Sequence, residues 1–322
     1  MTSSLAVTPP GGVERTRRIL AMFPGQGAQR PGMAGHLIDR YPCAAEVFAR
    51  AEQLLELPLV RWCTSGSAEL LTPTEIAQPA IAVTSAATYA VLAEQGVRPD
   101  VVAGHSLGEY QALVAAGVLE LEAALRLVRL RGDLMAAVAE RTPGTMVAVT
   151  GLAAASLERI CATVEGVVEV ANYNEPHQSV LSGETGAVRA AAAAARAVGA
   201  QTVELRVAAP FHCSLMAAIE DEFAAALAEV PFADPQLPLL SSVTGAAVST
   251  GARAREVLRQ QLAGPVRWVE TLTAAMELGT TDYVEVGPGR VLSGLAARTL
   301  ADPTVRSTND ARRLAAVARA YR

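Results

Sequence analysis

Short apolar runs that alternate with longer helical patterns are the feature that most constrains how this chain folds. Residues 19–23 and 101–103 predict strands, and helical periodicity follows at 44–55, 76–94 and 120–140. Strands that are joined through helices pair in parallel, so the alternation predicts an α/β fold with a mostly parallel sheet. Apolar residues make up 51% of the 322 residues, which is enough to bury a large core.

One block in the middle of the chain has a different order. Its elements follow one another as βαββαβ, the ferredoxin-like pattern, which predicts an inserted subdomain over residues 143–208. A large catalytic α/β domain would then consist of residues 19–142 and 209–322, after a disordered lead-in at 1–18. Beyond the insertion, the predicted elements are a helix at 214–228, a strand at 239–243, a helix at 268–278, a strand at 283–286 and a final helix after Gly287-Pro288-Gly289.

The charge balance and the cysteines exclude several kinds of partner. With 27 basic and 32 acidic residues the net charge is −5, whereas a nucleic-acid-binding protein needs a cluster of excess cations. The four cysteines form no C-x-x-C pair, which is typical of buried thiols in a reducing compartment. No apolar run reaches the roughly 18 residues of a membrane span, and the N-terminus lacks the apolar segment of a signal peptide. We expect a soluble cytoplasmic protein that binds neither nucleic acid nor a membrane.

A candidate nucleophile lies in Gly104-His105-Ser106-Leu107-Gly108, between the strand at 101–103 and a helix predicted to start near Glu109. A G-x-S-x-G sequence in that context is typical of the nucleophile elbow of α/β-hydrolase-like enzymes. The helix N-terminus behind Ser106 would offer free N–H groups to an oxyanion. The alternative is a Gly-Ser turn that only opens a helix, but the strand and helix on either side favour the catalytic interpretation.

Serine needs a base, and the chain has four histidines to supply one. His105 is adjacent to Ser106 and should point away from it, while His36 follows the first strand and His177 falls within the insertion. His212 lies where the chain returns from the insertion, and a domain junction that lines a cleft suits a base. From position alone, a packing role for His212 is equally open.

The third member of such a site is also open. Asp133 is the only aspartate between Ser106 and His212. A dyad whose imidazole is oriented by a backbone carbonyl is therefore as plausible as a triad. Cys213 is a weaker candidate nucleophile, because nothing around it in the sequence would lower its pKa.

Arg131 lies on the apolar face of the helix predicted over 120–140. It follows Leu127 by four residues and precedes Leu134 by three, so it falls within the apolar stripe. A buried guanidinium needs an anionic partner. That partner is either a protein carboxylate, which is the commoner case, or a substrate carboxylate held in a cleft. Gly132 beside it would let another group come close.

With these residues identified, the chain resembles the malonyl-CoA:acyl carrier protein transacylases and their relatives, the acyltransferases that load polyketide synthases. The resemblance runs from about residue 19 to 300 and rests on segments that occur in the family's order. They are Phe23-Pro24-Gly25-Gln26-Gly27-Ala28-Gln29, Gly104-His105-Ser106-Leu107-Gly108-Glu109, Arg131-Gly132-Asp133-Leu134-Met135, Asn172-Tyr173-Asn174, Pro210-Phe211-His212, Gln261-Leu262 with Pro265-Val266 and Trp268, and Gly287-Pro288-Gly289.

The resemblance implies a ping-pong reaction and a role for each residue. Ser106 would become the acyl-serine, His212 would act as general base and then as acid, and the backbone N–H groups of Gln26 and Leu107 would form the oxyanion hole. Arg131 would bind the malonyl carboxylate. Further substrate-site residues implied in the same way are Gln261, which would position the histidine loop, His105, Phe211 and Asn174. Malonyl would pass from coenzyme A to the serine and then to the phosphopantetheine thiol of an acyl carrier protein, without a metal or any other cofactor.

The choice of substrate and acceptor is less constrained. Leu107 and Phe211 resemble the corresponding residues of malonyl-selective members, but one methyl group is worth only about 1–3 kcal/mol, so a substituted malonyl unit is an alternative. A hydrolase with the same dyad and a non-catalytic docking module are two others, and the intact set of Ser106, His212 and Arg131 favours the transferase. We expect a discrete, monomeric enzyme of fatty acid or polyketide synthesis. Acyl carrier proteins are usually acidic, so the candidate contacts near the cleft mouth are Arg189, Arg196, Arg206 and Arg298.

Overall fold

The structure is a computed structural model that describes residues 17–207 and 209–322. Within them the chain forms eleven strands and thirteen α-helices. The strands are β1 (Ile19–Phe23), β2 (Val101–Gly104), β3 (Gly144–Thr150), β4 (Val168–Glu175), β5 (Gln178–Glu184), β6 (Gln201–Glu204), β7 (Leu239–Ser241), β8 (Ala246–Val248), β9 (Val266–Arg267), β10 (Asp282–Glu285) and β11 (Thr304–Ser307). The α-helices are α1 (Gly35–Ile38), α2 (Pro42–Leu55), α3 (Leu59–Ser65), α4 (Thr74–Glu94), α5 (Gly108–Ala115), α6 (Leu121–Arg141), α7 (Ala154–Cys161), α8 (Thr185–Ala197), α9 (Glu220–Ala228), α10 (Gly251–Gln261), α11 (Trp268–Glu277), α12 (Val291–Thr299) and α13 (Ala311–Tyr321).

The larger sheet has six strands in the order β11-β10-β1-β2-β7-β8. All neighbours pair in parallel except β7 and β8, which form an antiparallel hairpin at one edge. Every residue of β1, β2 and β10 is buried, because helices cover both faces of the sheet. The predicted α/β fold with a mostly parallel sheet is confirmed.

The smaller sheet has the order β6-β3-β5-β4-β9. Its first four strands are antiparallel and, numbered within the insertion, run 4-1-3-2, which is the ferredoxin-like arrangement predicted from the βαββαβ order. A separate core that includes Val147, Leu157, Leu181 and Val188 fills the space between this sheet and helices α7 and α8. The insertion is therefore a compact α+β unit with its own apolar interior.

One strand crosses the predicted boundary of the insertion. β9, from residues 266–267, pairs in parallel with β4 and so adds a strand from the larger part of the chain to the smaller sheet. The division into 19–142 with 209–322 on one side and 143–208 on the other stays a prediction, but the smaller sheet is not built from 143–208 alone. This strand also fixes the loop that precedes it, which carries part of the candidate site.

The predicted lead-in over 1–18 is too long at its C-terminal end. Residues 1–16 lie outside the described residues. The backbone N–H of Arg18 donates to Thr281 Oγ1 at 3.1 Å, and the Arg17 guanidinium donates to the carbonyl of Ala320. These two residues therefore belong to the folded part of the protein.

Several elements differ from the sequence predictions. The helix predicted over 214–228 begins as a 3-10 helix at Ser214–Ile219 and becomes α-helical only at α9. The tail after residue 300 holds strand β11 as well as a terminal helix, and β11 extends the larger sheet beside β10. The elements that the sequence patterns did not predict are α1, α3, α10, β8, β9 and β11.

Helix α4 is long and apolar enough, by length and composition, to cross a membrane. However, 78% of its apolar segment is buried inside the protein, where it packs against α2 and α6. It is a core helix of the larger domain, and its N-terminal turn borders the candidate site.

Candidate active site

Ser106 occupies a sharp turn between β2 and α5. Its φ of 52° is left-handed, a conformation that non-glycine residues rarely adopt. The turn is pressed tightly against the neighbouring β1, since a Cβ on Gly108 would lie 1.9 Å from the carbonyl oxygen of Phe23. This strand–turn–helix geometry is that of a nucleophile elbow, as the G-x-S-x-G sequence predicted.

His212 is the base that the geometry assigns to Ser106. The Ser106 Oγ lies 2.6 Å from His212 Nε2. His212 Nδ1 lies 3.0 Å from the carbonyl of Gln261 and 3.1 Å from that of Gly264. Both groups accept only, so Nδ1 carries the proton and Nε2 is free to accept the serine hydroxyl proton. The histidine is oriented by backbone carbonyls.

This arrangement selects the dyad from the two alternatives that the sequence left open. Asp133 forms an ion pair with Arg129 at 2.8 Å on a partly exposed face of α6. Cys213 donates its thiol to the carbonyl of Pro210, and burial raises the pKa of that thiol. Neither residue acts on Ser106 or His212.

The environment of His212 keeps its imidazole neutral. Burial, together with the positive charge of Arg131 and the proximity of His105, lowers the pKa of His212 to about 3. A neutral imidazole is the form that can accept a proton, so the free protein holds the base in its reactive state throughout the neutral pH range.

Arg131 is buried among neutral groups. The side chain is 2% exposed, and its guanidinium donates to Gln78 Oε1 at 2.7 Å and to Ser106 Oγ at 3.0 Å. No carboxylate of the described residues lies within ion-pair distance of it, so the internal ion pair considered from the sequence is absent there. A Cβ on Gly132 would lie 3.0 Å from the Cα of Glu75, so Gly132 admits helix α4. The guanidinium charge beside the serine is left for an anionic ligand.

A chain of side-chain hydrogen bonds joins Arg131 to the loop after β1. Gln78 accepts from Arg131 and donates through Nε2 to Thr74 Oγ1 at 2.8 Å. Thr74 in turn donates to Gln26 Oε1 at 2.9 Å. Because Gln78 and Thr74 are one helical turn apart on α4, this helix sets the position of the guanidinium relative to Gln26.

The predicted oxyanion donors have their N–H groups free. Among the described residues, the backbone N–H groups of Gln26 and Leu107 donate to no protein acceptor. The loop of Gln26 lies directly against the elbow, since a Cβ on Gly25 would be 2.5 Å from the carbonyl oxygen of His105. Leu107 directly precedes α5, whose N-terminal dipole also favours a negative charge. The two donors are therefore available to an oxyanion formed at Ser106.

A buried carboxylate lies beneath the elbow, and the sequence analysis did not find it. Glu109 is 2% exposed, and its Oε2 accepts from Ser242 Oγ at 2.9 Å and from Gln261 Nε2 at 2.8 Å. Burial raises the pKa of this carboxyl group, and hydrogen bonds from Ser241, Ser242 and Gln261 oppose the rise. A lone carboxylate on an otherwise apolar helix was the available signal, the same one that singled out Arg131.

The site opens into a cleft of about 550 Å³ between the larger sheet's loops and the smaller sheet. Ser106 and Gln26 lie on one side, and Phe211 and Asn174 contribute to the lining. His105 Nε2 lies 2.9 Å from Asn174 Oδ1, so this histidine belongs to the wall of the cleft and not to the dyad. The cleft brings together all the predicted residues named here, which is where a substrate would reach the serine.

The remaining sequence candidates lie elsewhere. His36 is in α1 and His177 is in the turn between β4 and β5, and neither lines the cleft. Within residues 17–207 and 209–322, no group of three or more His, Cys, Asp or Glu side chains is placed to hold a metal ion.

The four arginines suggested as carrier contacts differ in their surroundings. Arg189 pairs with Glu204 at 2.9 Å and Arg298 pairs with Glu175. Arg196 donates to Thr202 at 2.6 Å, whereas Arg206 is exposed and lines the cleft.

Comparisons with known proteins agree with this geometry. A family model described as acyl transferase domain matches residues 21–320. The malonyl CoA-acyl carrier protein transacylase of Haemophilus influenzae is 38% identical over 299 residues, which is 91% of this chain and 96% of that protein. The Bacillus subtilis strain 168 protein of the same name is 39% identical over 285 residues, covering 87% of this chain and 90% of its own length.

Solved structures of similar proteins have the same fold. One is a malonyl-transacylase in complex with its type II polyketide synthase acyl-carrier protein, with a TM-score of 0.91 and 37% identity over 94% of this chain and 99% of that one. Another is the malonyl CoA-acyl carrier protein transacylase of Coxiella burnetii, with a TM-score of 0.92 and 33% identity over 96% of this chain and 99% of that one.

Proposed function

Because the chain belongs to the acyl transferase family that includes the malonyl CoA-acyl carrier protein transacylases, we propose that it transfers malonyl from malonyl-CoA to an acyl carrier protein. One observation carries this proposal: Ser106 Oγ lies 2.6 Å from a neutral imidazole and 3.0 Å from a buried guanidinium that has no carboxylate partner among the described residues. A nucleophile, its base and a receptor for an acidic acyl group thus meet at one atom.

The first half-reaction acylates the serine. Ser106 Oγ attacks the thioester carbonyl while His212 Nε2 takes the hydroxyl proton. The carbonyl oxygen becomes an oxyanion, and the N–H groups of Gln26 and Leu107 stabilise it. The C–S bond then breaks, His212 returns the proton to the sulfur, and coenzyme A leaves as a thiol.

The second half-reaction reverses these steps with another thiol. The phosphopantetheine thiol of the carrier protein gives its proton to His212 and attacks the acyl-serine ester. The same two N–H groups stabilise the second oxyanion, and the serine oxygen leaves with the proton from His212. No step needs electron transfer or a Lewis acid, so we propose that neither a metal nor a redox cofactor takes part.

Arg131 favours malonyl over acyl groups without a carboxylate. A bidentate guanidinium–carboxylate contact replaces the contacts that Arg131 makes with neutral groups, and it places the acyl carbonyl beside Ser106. Phe211 and Leu107 border the site, and their bulk favours malonyl over its methylated derivative. The free thiols of Cys63 and Cys213 are consistent with a cytoplasmic location, and a single chain supplies every group named, so we propose a monomer.

Intact-protein mass spectrometry tests the proposal. The protein is mixed with malonyl-, methylmalonyl- and acetyl-CoA in competition, and a phosphopantetheinylated carrier protein is then added. We expect a malonyl adduct that is absent from a Ser106→Ala variant and that moves to the carrier. An adduct of another acyl group would change the substrate and keep the mechanism. Accumulation of free malonate without transfer would replace the transferase by a hydrolase.

A further inference from the structure

We propose that Glu109 is a positioning residue for acyl transfer, because one hydrogen-bond network joins its buried carboxylate to the backbone of Ser106 and to the loop that orients His212. The inference rests on the proposed function. It assigns a role to a side chain that does not touch the substrate and that lies beneath the turn carrying the nucleophile.

The network holds Ser106 by both of its backbone polar groups. The N–H of Ser106 donates to Ser242 Oγ at 3.4 Å, and its carbonyl accepts from Gln261 Nε2 at 3.1 Å. Ser242 and Gln261 are in turn both fixed by the same oxygen, Oε2 of Glu109. The carboxylate therefore braces the left-handed conformation that Ser106 adopts with a φ of 52°.

The same network reaches His212 through Gln261. The side chain of Gln261 donates to Glu109, while its backbone carbonyl accepts from His212 Nδ1. Anchoring this side chain fixes the carbonyl that orients the imidazole. One buried carboxylate thus couples the nucleophile to its base, and neither can shift without disturbing bonds to the other.

The groups facing Glu109 explain why a carboxylate is present here. Hydroxyls of Ser241 and Ser242 and the amide of Gln261 act on it as hydrogen-bond donors, as does the backbone N–H of Ser242. An ionised carboxylate accepts at both oxygens, whereas an amide must turn its own donor toward one of these groups. A Glu109→Gln variant therefore keeps the volume of the side chain but disrupts the network.

Single-turnover acylation by malonyl-CoA tests this role in the full-length protein. For Glu109→Gln we expect the rate constant for acyl-serine formation to fall by about tenfold to a hundredfold, since hydrogen bonds to a charged group are lost. The dissociation constant of malonyl-CoA should stay within about twofold, because Arg131 is untouched. Gln111→Ala, which removes another buried polar side chain of α5 outside the network, is the matched control and should acylate at the wild-type rate.

A double variant distinguishes a coupled network from general loss of stability. We expect Ser242→Ala to slow acylation less than Glu109→Gln, and the double variant to be no slower than Glu109→Gln alone, because both act through the same network. Wild-type acylation rates in Glu109→Gln or in Ser242→Ala, or additive losses in the double variant, would overturn the proposal. Thermal unfolding of each variant identifies any that fail to fold, and Ser242→Ala then decides alone. Absence of an acyl-serine in the wild-type protein would instead overturn the proposed function.

Discussion

Arg131 shows how one residue can set substrate choice by lacking a partner. Its guanidinium is buried beside two neutral oxygens, Gln78 Oε1 and Ser106 Oγ, so its charge is incompletely compensated in the free protein. Burial lowers the pKa of this guanidinium, although an arginine remains protonated near neutral pH. The binding of a carboxylate would remove this electrostatic cost at the point where the nucleophile lies.

An Arg131→Met variant should therefore lose discrimination more than catalysis. We expect kcat/KM for malonyl-CoA to fall by about a hundredfold, the worth of a charged hydrogen-bonded contact, while kcat/KM for acetyl-CoA changes little. Steady-state kinetics with both thioesters measure this. Arg129→Met, two residues away on the exposed face of α6, is the control and should change neither. Equal losses for the two substrates would mean that Arg131 supports the site's structure.

The depressed pKa of His212 predicts an unusual pH profile. With the pKa lowered to about 3, the imidazole of the free protein stays neutral as the pH falls from 8 to 5. We expect kcat/KM for serine acylation to stay level over that range, where an unperturbed histidine base would cause a decline below about pH 6.5. A rapid-quench pH series measures it, and a decline centred near 6.5 would contradict the prediction.

Protonation of His212 also links pH to stability. The pKa in the folded protein lies below the value of the unfolded chain, so the unfolded chain binds the proton more readily. The contribution of this residue is fully present above the unfolded value of about 6.5 and is lost progressively as the pH falls toward about 3. Denaturant titrations should show a smaller loss of stability between pH 6.5 and 4.5 for His212→Gln, which has no imidazole to protonate.

At the scale of elements, the contact between α5 and β1 holds the elbow in place. A Cβ on Gly108 would lie 1.9 Å from the Phe23 carbonyl oxygen, a backbone atom that cannot move freely. Gly108→Ala should therefore cost about 1–3 kcal/mol of unfolding free energy, although alanine is the better helix former. Gly186→Ala in α8, where no atom lies within 4 Å of the added Cβ, should instead stabilise by about 0.4–1 kcal/mol.

Denaturant unfolding of the two glycine variants checks this pair. The elbow variant should also lose acylation, because the added methyl group forces Ser106 away from the loop of Gln26. Equal stability of Gly108→Ala and the wild type would show that β1 can move away from α5 at little cost.

Long periodic elements were predictable from the sequence, whereas elements defined by a distant partner were not. Strand β1 and helices α2, α4 and α6 follow their apolar patterns closely. β9 is two residues long and exists only because it pairs with β4, which no local pattern records. Helix α10 did carry a local signal, since Thr250 caps it by accepting from the N–H of Arg253.

The site divides in the same way. Ser106 and Arg131 are marked by their local sequence, one by flanking glycines and the other by its place on an apolar stripe. His212 was one of two open readings, and only the fold decides between them by bringing Nε2 to the serine. Gln78 and Ser242 are ordinary buried polar residues in sequence, and their roles follow from contacts across 53 and 136 positions.

For the whole molecule, the cleft is a junction that both parts of the chain hold in place. The larger sheet supplies the serine at the carboxyl end of β2, and the smaller sheet supplies the opposite wall. Strand β9 and the ion pair between Arg298 on α12 and Glu175 on β4 tie the two together. Both half-reactions of the proposed mechanism use this one entrance, so its rim must accept coenzyme A and a carrier protein in turn.

Arg206 is the rim residue best placed to discriminate between these two partners. It is exposed, lines the cleft and forms no ion pair among the described residues, whereas Arg189 in the same subdomain is held by Glu204. An acidic carrier would be attracted by the unpaired charge through the open mouth of the cleft. Arg206→Glu should therefore slow transfer from the acyl-serine to the carrier by about tenfold at low salt, and the deficit should shrink as salt screens the charges.

The two half-reactions can be measured separately because the acyl-serine is stable enough to isolate in the proposed ping-pong scheme. Loading from malonyl-CoA should proceed at the wild-type rate in Arg206→Glu, and Arg189→Glu, the matched charge reversal, should affect the carrier step less. If loading and carrier transfer slow by the same factor, Arg206 binds the phosphopantetheine chain that both substrates share and the carrier surface docks elsewhere. A carrier-specific loss that disappears at high salt would place the carrier's acidic surface against the rim formed by the smaller subdomain.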